Sequence, residues 1–314
     1  MTMHRRFLPV VALLLCAIFA APAQADFKVG MADQNAAMFD NPKFEALNIK
    51  RVRYLVPYDW YRYGFQVAEV THFMDRAKTE GIEVLVHFTA KRGCYTNGRY
   101  SRGRSCRAPK VKTFRKGFTR FRAKFPHAKT YGIWNEANHV SQPVFRKPGL
   151  AARYFLAARS ACRSCTLVAA DVLDGSTLES WLGRFLRVAK GKAKIFGLHN
   201  YGDVNRRRIL GTTRMLRTVP GQVWLTETGG ILAFPPAFKR DQKRQARATK
   251  YMFKLTDRYD TRRSGMRSRI TRLYNYQWTG VRRSERFDAG LVNPNGSPRK
   301  AYRQFKRLAR PYDR

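Results

Sequence analysis

The chain has 314 residues, and its 62 lysines and arginines against 21 aspartates and glutamates give a formal charge of +41 at pH 7. Such a balance points to contact with something anionic, whether wall polymer, acidic glycan, membrane surface or nucleic acid, and carries no information about fold. No segment after the first 25 residues approaches about 18 uninterrupted apolar residues, which excludes a transmembrane helix there.

Residues 1–25 read as a secretory signal peptide. Arg5 and Arg6 precede an apolar run from Phe7 to Ala21, and Ala23-Gln24-Ala25 supplies the small-residue pattern that places the cut before Asp26. As a membrane anchor the run is short, with Pro9 near its start and Pro22 at its end. The mature chain, 26–314, is therefore expected to be exported and soluble. Its roughly 290 residues suit one large α/β barrel or two smaller domains.

From there, short apolar runs alternate with amphipathic stretches, and no Pro/Ser-rich linker or low-complexity tract interrupts them. The predicted strands are Phe27–Met31, Lys50–Val56, Ile82–Phe88, Thr130–Trp134, Thr166–Ala170, Ile195–His199, Gln222–Thr226 and Arg272–Trp278. Between the second and third, Val67, Val70, Phe73, Met74 and Ala77 share one helical face, and Gly81 can close that helix with a left-handed cap. The last helix is expected over Arg299–Ala309, with Tyr302, Phe305 and Leu308 turned inward. Strand and helix alternating eight times predict a single-domain (β/α)₈ TIM barrel. The competing open doubly wound sheet lacks a glycine-rich phosphate turn after its first strand.

Cys16 leaves with the signal peptide, so four cysteines remain, and an even count in an oxidising compartment favours disulfides. The spacing suggests Cys94–Cys106 and Cys162–Cys165, although four cysteines allow three connectivities. A redox or zinc reading of Cys162-Arg-Ser-Cys165 is weaker: a redox pair normally opens a helix after a strand, and zinc needs a second ligand pair.

In a barrel the C-terminal strand ends converge on one face, so catalytic groups belong where strands run into loops. Glu136 ends Tyr131-Gly132-Ile133-Trp134-Asn135-Glu136 on strand four, and Glu227 ends Val223-Trp224-Leu225-Thr226-Glu227 on strand seven. Two such carboxyl groups can hydrolyse a glycosidic bond with retention if they face each other across the anomeric carbon, about 5–5.5 Å apart. A lone glutamate at a strand end is usually a solvated charge; the pair in company is more informative.

Trp134-Asn135-Glu136-Ala137-Asn138 resembles the Trp-Asn-Glu-Pro motif of the clan A retaining glycoside hydrolases, including families 5 and 39. Thr226-Glu227-Thr228-Gly229 is similar to their Thr-Glu-aromatic-Gly motif. Ala137 and Thr228 depart from the common forms, which touches the choice of family more than that of clan. The resemblance implies Glu136 as general acid/base and Glu227 as nucleophile. It also makes Arg53 the strand-two arginine that orients the nucleophile, with Arg51 as the alternative if the register differs. His199-Asn200-Tyr201 would be the strand-six His-x-Tyr whose tyrosine bonds the nucleophile, and Trp278 the strand-eight platform under the sugar. Asn135 would hold the sugar 2-hydroxyl, and His87 on strand three is a further binding candidate. Partial burial against Trp134 or nearby aromatics, with the charge of Glu227, is expected to raise the pKa of Glu136.

The expected partner is a carbohydrate, with an anionic glycan or wall polymer favoured by the charge. No cofactor or metal site is expected, and the signal peptide argues against intracellular nucleic acid. The loop Lys91–Lys110 carries Lys91, Arg92, Arg99, Arg102, Arg104, Arg107 and Lys110 without an acid, and further cations follow strands six (Arg206–Arg208) and eight (Arg282, Arg283, Arg286). They form either a funnel over the site or the ordinary surface of a very basic chain. A non-catalytic glycan-binding barrel and a cationic polymer-binding protein remain the competing functions; the second leaves the glutamate pair unexplained.

Overall fold

A computed structural model of the chain describes residues 27–96, 99–101, 103 and 106–312. The expected signal peptide, Arg102 and Arg104, and the side chain of Arg99 lie outside the described residues. The barrel strands are β1 (Lys28–Ala32), β2 (Arg51–Pro57), β3 (Glu83–Thr89), β4 (Thr130–Gly132), β5 in two segments (Thr166–Val168 and Asp171–Leu173), β6 (Ile195–His199), β7 (Gly221–Thr228) and β8 (Ser268–Tyr276). All neighbours in this sheet are parallel.

The first segment of β5 pairs with β4, and the second pairs with β6. The sheet thus begins and ends on the same strand, and Ala169 between the segments donates to the Ile195 carbonyl. This closes an eight-stranded barrel and leaves no edge to protect. Each expected strand falls on an observed one, with ends moved by a few residues; the largest shift is in β8, which starts at Ser268 and stops at Tyr276.

Helices α1 (Pro42–Glu45), α2 (Gly64–Thr79), α3 (Val111–Lys124), α4 (Pro148–Ala161), α5 (Leu178–Ala189), α6 (Tyr201–Arg206), α7 (Leu210–Thr218), α8 (Gln242–Arg258) and α9 (Lys300–Ala309) join the strands. On α2 the residues Val70, Phe73, Met74 and Ala77 are buried, while Val67 is only half-buried. Burying each large side chain of this kind contributes about 1.5–3 kcal/mol. Gly81 follows the helix with φ 64°, the left-handed conformation that ends it cheaply. Asp241 starts α8 by accepting from the Lys243 and Arg244 N–H groups. Tyr302 and Phe305 of α9 are buried as expected.

Strand alternation produces two apolar layers. Outward residues such as Val84, Val86 and Phe88 on β3 join the large core beneath the helices. Inside the barrel, Ala32, Leu85, Val168, Trp224 and Tyr274 form a small separate cluster. This plug is the floor on which the polar residues nearer the C-terminal strand ends stand. Cys94 is bonded to Cys106, and Cys162 to Cys165. No helix among the described residues is long and apolar enough to cross a membrane.

Candidate active site

Six strands deliver one polar cluster above that floor. Arg53 projects inward from β2 and is fully buried. Its Nη1 donates to Glu227 Oε1 at 2.6 Å, its Nη2 to Asn135 Oδ1 at 2.6 Å and to Asp171 Oδ2 at 3.2 Å, and its Nε to His87 Nδ1 at 3.1 Å. A buried guanidinium is costly unless its donors are paired, and here every nitrogen has an acceptor. Arg51, two residues earlier, sits lower in the barrel near Glu83, so the arginine of the cluster is Arg53.

Glu227 reaches the interior through an irregularity. Trp224 pairs with Gly197 and Glu227 with His199, so three steps along β7 match two along β6. Simple alternation from Trp224 and Thr226 would turn Glu227 outward; the extra residue re-aims it. The Tyr201 hydroxyl donates to Glu227 Oε2 at 3.3 Å.

Glu136 lies beyond β4 with φ 47°, a backbone region unfavourable for any residue with a Cβ. Neighbouring bonds hold this turn: the Asn135 N–H donates to the Phe88 carbonyl, and the Ala137 N–H to that of Asp171. The Glu136 carboxylate meets His199 Nδ1 at 3.1 Å, and its side chain keeps 24% of its exposure where that of Glu227 keeps 8%. Donor atoms of Glu136, His199 and Glu227 all fall within 4.8 Å of one another. The two carboxylates thus face the same space at the strand ends.

The charges interlock. Burial opposes a charge on His199, but Asp171 and Glu227 override it and raise the imidazole to about 10. His199 therefore donates from both nitrogens, Nε2 to Asp171 at 2.9 Å and Nδ1 to Glu136. Burial likewise opposes ionisation of Asp171, yet the charge and hydrogen bond of His199, with Arg53, hold it well below the usual carboxylate range. His87 is the contrary case: burial drives it down to about 3, so it is neutral and accepts from Arg53 at Nδ1. Its Nε2 is 3.2 Å from Asp171 but is poorly aligned for a hydrogen bond.

Glu136 departs from expectation. Burial favours its neutral form, but the hydrogen bond and charge of His199 outweigh this and lower its pKa. Nor does Trp134 enclose the carboxylate: its ring lies beneath the helices against Tyr154 and Phe114, with Nε1 bonded to Gln142. The histidine decides the proton affinity of Glu136.

Of the residues expected here, Arg53, His87, Asn135, Glu136, His199, Tyr201 and Glu227 come together. Trp278 does not. Its ring is 1% exposed and packs edge-on against Phe44 and Tyr302, away from the glutamates. Strand β8 ends at Tyr276, so the alternation that would have turned residue 278 inward stops before reaching it. Tyr276 takes the inner position, and burial, with the charges of Glu227 and Asp33, pushes its hydroxyl far up. Asp33 is occupied structurally, accepting the Thr279 N–H at 2.6 Å and so tying β1 to the loop after β8.

Asp171 was missed. It is completely buried, touches Arg53, His87 and His199, and accepts the Thr226 hydroxyl. Its signal was a carboxylate inside the apolar run Val168-Ala169-Ala170-Asp171-Val172-Leu173. Two glycines also carried information. A Cβ at Gly132 would overlap the His87 ring, and one at Gly197 would overlap the Asp171 carboxylate, so these strand positions are empty to let the polar layer fit.

The donor spacing of Glu136, His199 and Glu227 would also suit a metal ion. However, both nitrogens of His199 face carboxylates and Arg53 already neutralises Glu227, so the set behaves as an ion-pair cluster.

Several solved structures share this fold. A xylanase from Cellvibrio japonicus, in a thermostable mutant form, aligns at 15% identity over 91% of this chain and 99% of its own, with a TM-score of 0.63. GH5_18 from Streptomyces cattleya in complex with GlcNAc aligns at 13% identity over 92% and 80%, with a TM-score of 0.62. A family 39 glycoside hydrolase from Bacteroides cellulosilyticus aligns at 12% identity over 91% and 64%, with a TM-score of 0.56. No family model and no curated protein matches the sequence. At these identities the likeness is one of fold, the (β/α)₈ barrel.

Proposed function

We propose that the protein is a secreted retaining glycoside hydrolase acting by double displacement, with residues 1–25 as its export signal and 26–314 as one catalytic domain. The observation that carries this reading is the facing pair Glu136 and Glu227, with donor atoms within 4.8 Å, one at the open mouth and the other clamped by Arg53. In the first step Glu227 attacks the anomeric carbon while Glu136 protonates the departing glycosidic oxygen. Glu136 draws that proton from His199 Nδ1, which leaves a neutral imidazole still donating to Asp171. Water then attacks the glycosyl ester and gives its proton to Glu136, which passes it back to His199 Nδ1 and restores the starting state.

Arg53 and the Tyr201 hydroxyl hold the attacking carboxylate in place, and Asn135, itself fixed by Arg53, lies beside Glu136 where a sugar hydroxyl can meet it. The surviving arrangement of both glutamates with their supports argues against a barrel that merely binds glycan. A panel of chromogenic glycosides and polysaccharides, assayed with the native protein and with Glu227→Gln, tests the reading. Turnover that is lost in the variant supports it; no turnover on any member of a broad panel overturns it.

A further inference from the structure

The loops after β7 and β8 meet beside the cluster and carry cations in an organised way. A cavity of about 200 Å³ between them is lined by Arg240, Arg282, Arg283 and Arg299, with Leu232 and Asn293 among its other walls. Two carboxylates of the same loop lie nearby: Glu285, exposed and in no ion pair among the described residues, and Asp288, which is buried and already spent. It receives Arg299 through both oxygens at 2.7 and 3.0 Å, and Arg240 at 3.2 Å. Arg282 and Arg283 are exposed and meet no acidic partner among the described residues. The cavity therefore carries a clear positive excess, and its walls offer donors to an anion.

Its location ties this charge to the glutamates. Phe287 follows Arg286 and packs on Tyr201 at 5.5 Å and on Tyr276 at 6.2 Å, and Tyr201 touches Glu227. On the other side Phe287 meets Phe234 at 5.6 Å, and Arg286 stacks over Phe234 at 5.0 Å. Arg206 and Arg244 lie over Phe238 in the same way, at 5.0 and 4.7 Å. Aromatic rings thus fix three more guanidiniums on the catalytic face. From the cavity wall the path runs through Asp288, which binds Arg240 and Arg299, to the adjoining Phe287 and then Tyr201, so two rings separate the cavity from the nucleophile.

We infer that the substrate is an acidic polysaccharide, one of whose carboxylate or sulfate groups is received by Arg240, Arg282 and Arg283 while another sugar of the same chain lies between Glu136 and Glu227. This rests on the hydrolase reading given above. A glycan fits better than a membrane or nucleic acid because the loops that carry the cavity follow β7 and β8 at the strand ends where the glutamates stand, and because about 200 Å³ admits one acid group with room to spare but no larger surface.

Binding is measured on full-length mature protein carrying Glu227→Gln, so that no turnover intervenes, against polygalacturonate, dextran sulfate, neutral dextran and anionic phospholipid vesicles. The expected result is tight binding to one or both acidic polymers and weak binding to dextran, and the tighter of the two polymers identifies the acid group. Adding Arg282→Ser and Arg283→Ser should weaken the preferred acidic polymer at least tenfold. Arg262→Ser with Arg310→Ser removes the same charge from the opposite end of the barrel and should weaken it less than twofold. Equal losses in the two double variants, or a loss confined to the vesicles, overturn the inference. Hydrolysis by the native protein separates the two levels: turnover of neutral glycans with no preference for acidic ones sinks this inference and leaves the hydrolase standing. Selective acidic binding without turnover of any glycan does the reverse.

Discussion

Asp171 Oδ2 lies 2.9 Å from His199 Nε2, and neither side chain reaches solvent. The same oxygen is 3.2 Å from Arg53, so one buried carboxylate balances the two cations that address Glu136 and Glu227. Replacing it with asparagine keeps the shape and removes the charge. Breaking a buried pair of this kind typically costs about 3–5 kcal/mol. Asp171→Asn should therefore lower stability by that order in urea denaturation, and the His199 pKa, followed by NMR, should fall. An unchanged His199 titration would show that Asp171 only fills space.

For the nucleophile, Glu227→Gln should leave the fold intact and reduce kcat by on the order of 10⁴ or more, since an amide cannot form the glycosyl ester. Circular dichroism with a sensitive aryl-glycoside assay checks both halves. Residual activity near that of the native protein would move the nucleophile elsewhere.

Glu136→Ala separates protonation from attack. Activity on unactivated substrates should nearly vanish, while aryl glycosides with good leaving groups should still form the ester. Added azide should then accelerate release and yield a glycosyl azide of retained configuration. Equal losses on both kinds of substrate, without azide rescue, would place the acid on another residue.

The charge on His199 gives a pH signature with a definite sign. Its pKa is raised in the fold, from 6.5 to about 10, so the stability it contributes is complete below about pH 6.5 and is lost as pH rises through about 10. Asp171 shifts the other way, and its contribution fades only in strong acid. Melting temperatures of the native protein and His199→Gln, compared from pH 6 to 10.5, should converge at the alkaline end. Curves that stay parallel would mean that His199 is neutral in the fold.

Gly132→Ala tests the barrel interior, because the added methyl would meet the His87 ring. Overpacking of this sort costs about 1–3 kcal/mol. Displacing His87 also loosens the Arg53 Nε bond, so kcat should drop together with Tm. The paired variant Gly132→Ala/His87→Ala should recover part of the stability.

Local chemistry in the sequence was sufficient for the barrel. Eight apolar runs at strand length, each followed by helical periodicity, leave few architectures able to bury both faces of a parallel sheet. The Asn135-Glu136 and Thr226-Glu227 pairs, each at a strand end, marked the glutamates for the same reason: the fold brings those ends together. What the sequence could not decide depends on distance and burial between segments far apart in the chain. Asp171 finds its partners only when β2, β3 and β6 are brought around it, and the pKa of Glu136 followed a histidine 63 residues away in place of its neighbour Trp134. Trp278 and Glu227 show the limit of alternation. A strand that ended at Tyr276 took the tryptophan out of the site, and an extra residue in β7 brought the glutamate in, because side-chain direction follows the register of the folded sheet and not the count along one strand.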